Sequence, residues 1–353
     1  MQHKHKNQKY FFNNIFLIIS SLTISLLAAE MVLRIFDFAT INIDWYYAEN
    51  IQKVVWDDSE VPNVGSSELD GLKLEGTSNS LGLRDEEYPL LTKNFRILAI
   101  GDSFTYGFKL ANASSWPKLA EQYLREDGWK DVEILNAGRP NTDTQSQYNF
   151  FKKYTSKYKP DMVVINYIIN DCSKVCSNCG VVDLKGELGN IVKGSKKWYS
   201  SKLLTMIRLI YHKYILTKVT MHNYFKSYEH ENSENFLGCK NAFLGFKKMS
   251  EEMNFKLIVV IYPLLYKLDE NYPFIPIHNK MLEFFKVAGI PAYDLTPVFY
   301  GHKDTDLWVQ VVDSHPNRKA NTIAALRIAE IIKSHSPSKR EGQPSNREIV
   351  IHD

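Results

Sequence analysis

Four short runs of apolar, mostly β-branched residues constrain the fold of this 353-residue chain more than anything else in it. They are RILAIG (96–101), VEILNAG (132–138), DMVVINYI (161–168) and FKLIVVIYP (255–263), with IPAYDL (290–295) a weaker fifth. None alternates polar with apolar residues, as a strand with one wet face would. Continuous runs of this length suit strands buried on both faces, in a parallel sheet covered by helices. The segments between them supply those helices. Amphipathic patterns run over 115–127, 144–158, 236–253 and 277–288, with a last one over 317–334. Alternating strand and helix predicts an α/β protein with a doubly wound, mostly parallel five-stranded sheet.

The alternation breaks once. Residues 172–235 read as an insertion between the third and fourth strands, holding a cysteine cluster and the helical SSKLLTMIRLIYHKYILTKV. That helix either packs on the domain or forms a lid or membrane-facing surface that admits acyl chains.

The N-terminus is of another kind. Lys4, Lys6 and Lys9 lie in a basic tail (1–10) ahead of FFNNIFLIISSLTISLLAA, which carries no charge. As a helix, nineteen residues span about 28 Å, close to the hydrocarbon thickness of a bilayer. Residues 11–36 therefore read as a transmembrane anchor. A cleaved signal peptide is the alternative, but Leu26 or Leu27 stands where a cleavage site wants a small residue. Lysines stay on the cytoplasmic side, so the rest of the chain faces the periplasm or cell exterior. Residues 39–94 form an N-terminal extension, 95–335 the main domain, and the polar tail 336–353 is expected to be disordered. With a formal charge of +3 and no basic stripe interleaved with aromatics, nucleic acid is not an expected partner.

In an oxidising compartment the four cysteines, Cys172, Cys176, Cys179 and Cys239, suggest one or two disulfides, with three pairings open if all are used. The same spacing suits iron–sulfur or zinc ligation. The cluster's distance from the first strand and the outward location favour the disulfide, so neither a metal nor another cofactor is expected.

Ligands of open α/β sheets bind outside the carboxyl ends of the strands. There the sequence places Asp102-Ser103 after strand one, Asn136-Ala137-Gly138 at strand two, Asn170-Asp171 after strand three, and Asp313 and His315 after strand five. A serine hydroxyl becomes a nucleophile when a base takes its proton. His315 titrates in the right range to be that base, and Asp313 can fix its tautomer. Two residues apart, they share a side only in an extended segment, and Pro316 biases His315 towards one. The N–H groups of Ser103 and Gly138 and the amide of Asn170 can serve as an oxyanion hole. His278 and His302 read as ordinary histidines.

In these blocks the sequence resembles the SGNH/GDSL hydrolases. GDSFTYG, LNAGRPN, NYIINDC and DSHPN are similar to the blocks that carry the family's Ser, Gly, Asn and His, and the likeness runs over roughly 79–333. NSLGLRDEEY and the anchor ending AAEMVLR resemble a membrane-anchored bacterial branch. The resemblance implies a three-layer, flavodoxin-like fold and a serine esterase acting on acetyl or lipid acyl esters, with a small-molecule, lipid or glycan ester as substrate. It leaves open an O-acyltransferase modifying an envelope polysaccharide, or a non-catalytic glycan-binding module. Two positions depart from the family pattern: Ile168 replaces a glycine two residues before Asn170, and Asn321 replaces a glycine four residues after Asn317.

Overall fold

The computed structural model describes residues 2–36, 78–172, 201–207, 222, 224–229, 233–310 and 313–336, with only the backbone at 2–12, 36, 310 and 313. Cys176, Cys179, most of the insertion, the 39–77 part of the extension and the tail from 337 lie outside the described residues. The chain forms two compact units, 1–51 with 178–221, and 52–177 with 222–353.

In the first unit, helix α1 (Gln2–Phe36) contains a stretch, Asn13–Ile35, long and apolar enough to cross a membrane or to be a signal sequence. Its Glu30 carboxylate accepts from the N–H groups of Lys202 and Leu203 and from Ser201 Oγ, each at 2.9 Å. It also pairs with Arg34 Nε at 2.8 Å.

The second unit is an α/β domain. Its elements in chain order are β1 (Phe95–Gly101), α2 (Ser103–Tyr106), α3 (Trp116–Glu126), β2 (Val132–Gly138), α4 (Thr144–Lys153) and β3 (Met162–Tyr167). Then come α5 (Glu234–Met253), β4 (Lys256–Ile261), α6 (Ile275–Val287), β5 (Ala292–Asp294), β6 (Trp308–Gln310), β7 (Asp313–Pro316) and α7 (Arg318–His335). The sheet runs β2-β1-β3-β4-β5 with every neighbouring pair parallel. β1, β2 and β3 are buried almost throughout, which is why their sequences carry no alternation. Parallel register sets Gly101 beside Gly138 and Asn166, so three strands end at one rim.

The structure departs from the sequence reading in three places. The helix read over 144–158 stops at Lys153, because Tyr154 (φ −123°, ψ −59°) leaves helical geometry and a 3-10 turn follows over Thr155–Tyr158. The segment read as an extended loop at 313–316 is a strand, β7, paired antiparallel with β6. A one-turn helix, α2, starts at Ser103.

Candidate active site

β1 delivers the chain to the rim, and Asp102 turns it into α2. The Asp102 carboxylate accepts from Phe104 N–H at 2.9 Å, an N-cap that starts the helix. Gly107, at φ +74°, ends it after one turn by donating to Ser103 O at 3.1 Å. Ser103 is thus the first residue of a short helix, where an N–H has no partner within the helix.

His315 reaches Ser103 across 212 residues of sequence: its Nε2 lies 2.9 Å from Ser103 Oγ. Several contacts hold it there. The rings of Phe108 and Phe104 pack on the imidazole at 4.7 and 5.6 Å between centroids. Asn317 caps α7 by accepting from Ala320 N–H at 3.0 Å and donates to Asp306 O and Trp308 O. Asn321, buried, donates to Pro316 O at 3.1 Å and accepts from Trp116 N–H at 3.1 Å. The residue that stands for a glycine in the family pattern therefore ties β7 to the start of α3.

Asp102 is fully buried beneath the serine. Its second oxygen lies 3.3 Å from Ser103 Oγ and accepts from Asn170 Nδ2 at 3.2 Å. Burial pushes its carboxyl up, against the pull of the Phe104 N–H, Asn170 and His315. A serine has one proton to donate. His315 Nε2 at 2.9 Å is the nearer of its two acceptors. Asp171, also buried, accepts from Gln147 Nε2 and Ile168 N–H at 3.1 Å each. Burial and the neighbouring Asp102 hold its carboxyl well above the usual range.

Gly138 lies at the rim for a second reason that the sequence did not reveal. A Cβ there would sit 2.2 Å from Tyr106 N, so the glycine lets β2 and α2 touch backbone to backbone. Its N–H donates to Asn136 Oδ1 at 3.0 Å. Asp313 pairs with Gln310 across the β6–β7 ladder, two residues from His315 on the same strand.

The loop carrying Asn170 is fastened from behind. Cys172 is disulfide-bonded to Cys239 on α5, with the Cα atoms 5.1 Å apart. Tyr228 donates to Ile169 O at 2.7 Å and shares a hydroxyl contact with Tyr167. Burial, with the Asp102 and Asp171 carboxyls nearby, pushes the Tyr224 hydroxyl up. Neither tyrosine carries a sequence signal, because both lie near the end of the insertion and reach the rim only through the fold. Away from the serine, His278 is buried against Asp294, Nδ1 to Oδ2 at 3.0 Å. Among the described residues no cluster of His, Cys, Asp and Glu is arranged to hold a metal ion.

No curated protein matches the chain. Solved structures similar to it include a lipase/acylhydrolase from Enterococcus faecalis, at 18% identity and a TM-score of 0.42, covering 69% of this chain and 98% of that one. A GDSL-like lipase from Bacteroides thetaiotaomicron is similar at 12% identity and a TM-score of 0.37, covering 70% and 92%. Likenesses at that level say nothing about what the chain acts on. Residues 97–197, which include Ser103, Gly138 and Asn170, match the family model of the GDSL-like lipase/acylhydrolases. The chain therefore carries a GDSL-like lipase/acylhydrolase domain and is, on that ground, an ester-hydrolysing enzyme.

Proposed function

We propose that the chain is a serine esterase that cleaves ester-linked acyl groups, acetyl or lipid acyl, through an acyl-serine intermediate. The observation that carries this reading is the 2.9 Å contact between His315 Nε2 and Ser103 Oγ. His315 takes the Oγ proton as Oγ attacks the acyl carbonyl carbon. It then passes that proton to the departing alkoxide as the ester C–O bond breaks. Water, giving a proton to His315, attacks the acyl-serine and releases the acid, and the proton returns to Ser103. Asp313 is the orienting acid. It stands two residues before His315 on β7, the period of a strand, and a carboxylate accepting Nδ1–H would leave the Nε2 lone pair towards the serine.

The tetrahedral oxyanion takes the N–H groups of Ser103 and Gly138 and the amide of Asn170. The Gly138 N–H would be shared with Asn136 Oδ1, and one Asn170 proton stays with Asp102. In this reading α1 is an uncleaved single-pass anchor, with Lys4, Lys6 and Lys9 cytoplasmic and the esterase domain (95–335) facing the periplasm or exterior. The substrate is then an ester of the cell envelope.

The test is p-nitrophenyl acetate turnover by the detergent-solubilised chain beside Ser103→Ala and His315→Ala. Turnover lost in both variants supports the reading. Undiminished turnover in Ser103→Ala refutes it. A folded wild type that releases no free acid, but acylates an added glycan hydroxyl, shifts the assignment to acyl transfer through the same serine.

A further inference from the structure

The segment NSLGLRDEEY (79–88) precedes the family-model match, and the chemistry above does not use it. Yet Asn79, Leu83, Arg84 and Asp85 are all buried. The segment lies along the edge of the sheet, where β2 is the outermost strand. Arg84 N–H donates to Asn136 O at 3.1 Å, and Asn136 N–H donates back to Asp85 Oδ2 at 3.0 Å.

From that edge the Arg84 side chain runs to the end of α2. Nη1 donates to Gly107 O at 2.7 Å and to Tyr106 O, and Nη2 donates to Leu110 O. The guanidinium also stacks over the Tyr106 ring at 4.2 Å. Tyr106 is the last residue of the one-turn helix that begins with Ser103, Gly107 is its cap, and Leu110 lies in the segment just beyond. A single turn has no stability of its own, and its last carbonyls find no donors within it. One buried fork supplies donors to three carbonyls and sets a positive charge at the negative end of the turn.

Asp85 acts on the neighbouring block. It holds Asn136 N–H and pairs with Lys118 at 3.2 Å. Asn136 in turn holds Gly138 N–H at 3.0 Å and donates to Asn112 Oδ1 at 3.0 Å. Arg84 and Asp85 thus grip the Ser103 helix and the Gly138 strand end together.

We propose that Arg84 is a positioning residue for the Ser103 hydroxyl, acting through the carbonyls of Tyr106, Gly107 and Leu110, with Asp85 fixing Gly138 through Asn136. The proposal rests on the reading of Ser103 as nucleophile. The segment is then a working part of the site rather than a spacer between anchor and domain.

The test uses the full chain in detergent with Arg84→Met and Arg84→Lys. For each, kcat and KM on p-nitrophenyl acetate, the rate of Ser103 labelling by a fluorophosphonate, and the melting temperature are measured. Misplacement of a reacting group by an ångström costs about a hundredfold in rate. Arg84→Met is expected to lose about ten- to a hundredfold in kcat and in labelling rate, with KM held within about twofold. Added guanidinium restores part of that loss. Arg84→Lys, whose ammonium lacks the planar fork, falls between.

A role in stability alone would lower the melting temperature and leave kcat of the folded protein at the wild-type value, with no response to guanidinium. That result overturns the proposal. If Arg84→Met does not fold, Arg84→Lys decides: wild-type kcat and labelling in it overturn the proposal, and a kcat-selective loss supports it. A wild type that the probe does not label at Ser103 removes the nucleophile reading and this proposal with it. That failure appears in the parent protein and so is distinct from a failure of Arg84 alone.

Discussion

Gly138→Ala separates two reasons for a glycine at the rim. An added Cβ would lie 2.2 Å from Tyr106 N, 2.6 Å from Thr105 C and 2.7 Å from Tyr106 Cα, all backbone atoms of α2. Ordinary contact begins near 3.4 Å, so the closest approach is short by more than an ångström. No flexible side-chain end is available to yield. Either α2 or the end of β2 must move by about 1 Å, and overpacking of this kind costs about 1–3 kcal/mol. Because α2 begins with Ser103, the same shift moves Oγ away from His315 Nε2, now 2.9 Å distant. The expected loss in kcat is about a hundredfold. Alanine keeps the backbone N–H, so a glycine needed only as a donor would tolerate the change. The assay is p-nitrophenyl acetate turnover with fluorophosphonate labelling, on protein shown by its melting curve to be folded. Wild-type kcat and labelling in folded Gly138→Ala would refute the steric argument.

Three further outcomes follow from the packing. Replacing Cys172 and Cys239 together by serine opens a link across a sequence separation of 67 residues. The chain-entropy model puts its contribution at about 4 kcal/mol, so the denaturation midpoint should fall, and reductant should shift the wild type alike; an unchanged midpoint in both contradicts it. Burial and Asp102 raise the Asp171 carboxyl in the folded state. The folded protein therefore holds that proton longer than the unfolded chain, and stability falls as pH rises above the unfolded value of about 4. Asp171→Asn removes this slope, with a flip of Gln147 providing an acceptor for the new amide. Its melting temperature relative to wild type should increase from pH 4 to pH 8, and a constant difference would contradict the assignment. Arg96 Nε and Nη2 hold Glu133 Oε2 at 2.9 and 2.8 Å in a buried pair. Arg96→Met leaves that carboxylate without its counter-ion, with Asn94 Nδ2 still donating to Oε1 at 2.6 Å, and should cost about 3–5 kcal/mol by urea unfolding with kcat of the folded enzyme intact. A cost below about 1 kcal/mol, as for an exposed pair, would refute the burial argument.

The sheet was legible because its strands are buried on both faces, and burial leaves continuous apolar runs in the sequence. Val132–Gly138 matches its sequence-read bounds, and the other long strands differ by a residue or two at their ends. The rim was legible as well, since a parallel sheet brings Ser103, Gly138 and Asn170 to one edge by topology alone. What stayed hidden depends on contacts between distant segments. Asn321 reads as a mismatch to a pattern until its bond to Trp116 N–H, 205 residues away, is seen. Arg84 and Asp85 read as part of the N-terminal extension until the edge of β2 receives them. Cys172 and Cys239 had no pairing before the fold set α5 against the loop after β3. The hairpin that carries His315 escaped because each strand is only three or four residues long, too short for a periodic pattern.

The central claim, that Ser103 carries the acyl group with His315 as its base, is tested most directly by trapping the adduct. The solubilised chain is treated with a fluorophosphonate and the modified peptide located by mass spectrometry. The account predicts one adduct, on Ser103, formed at a rate that falls steeply in His315→Ala and absent in Ser103→Ala. Labelling at another residue, or labelling of Ser103 at the same rate without His315, would contradict it.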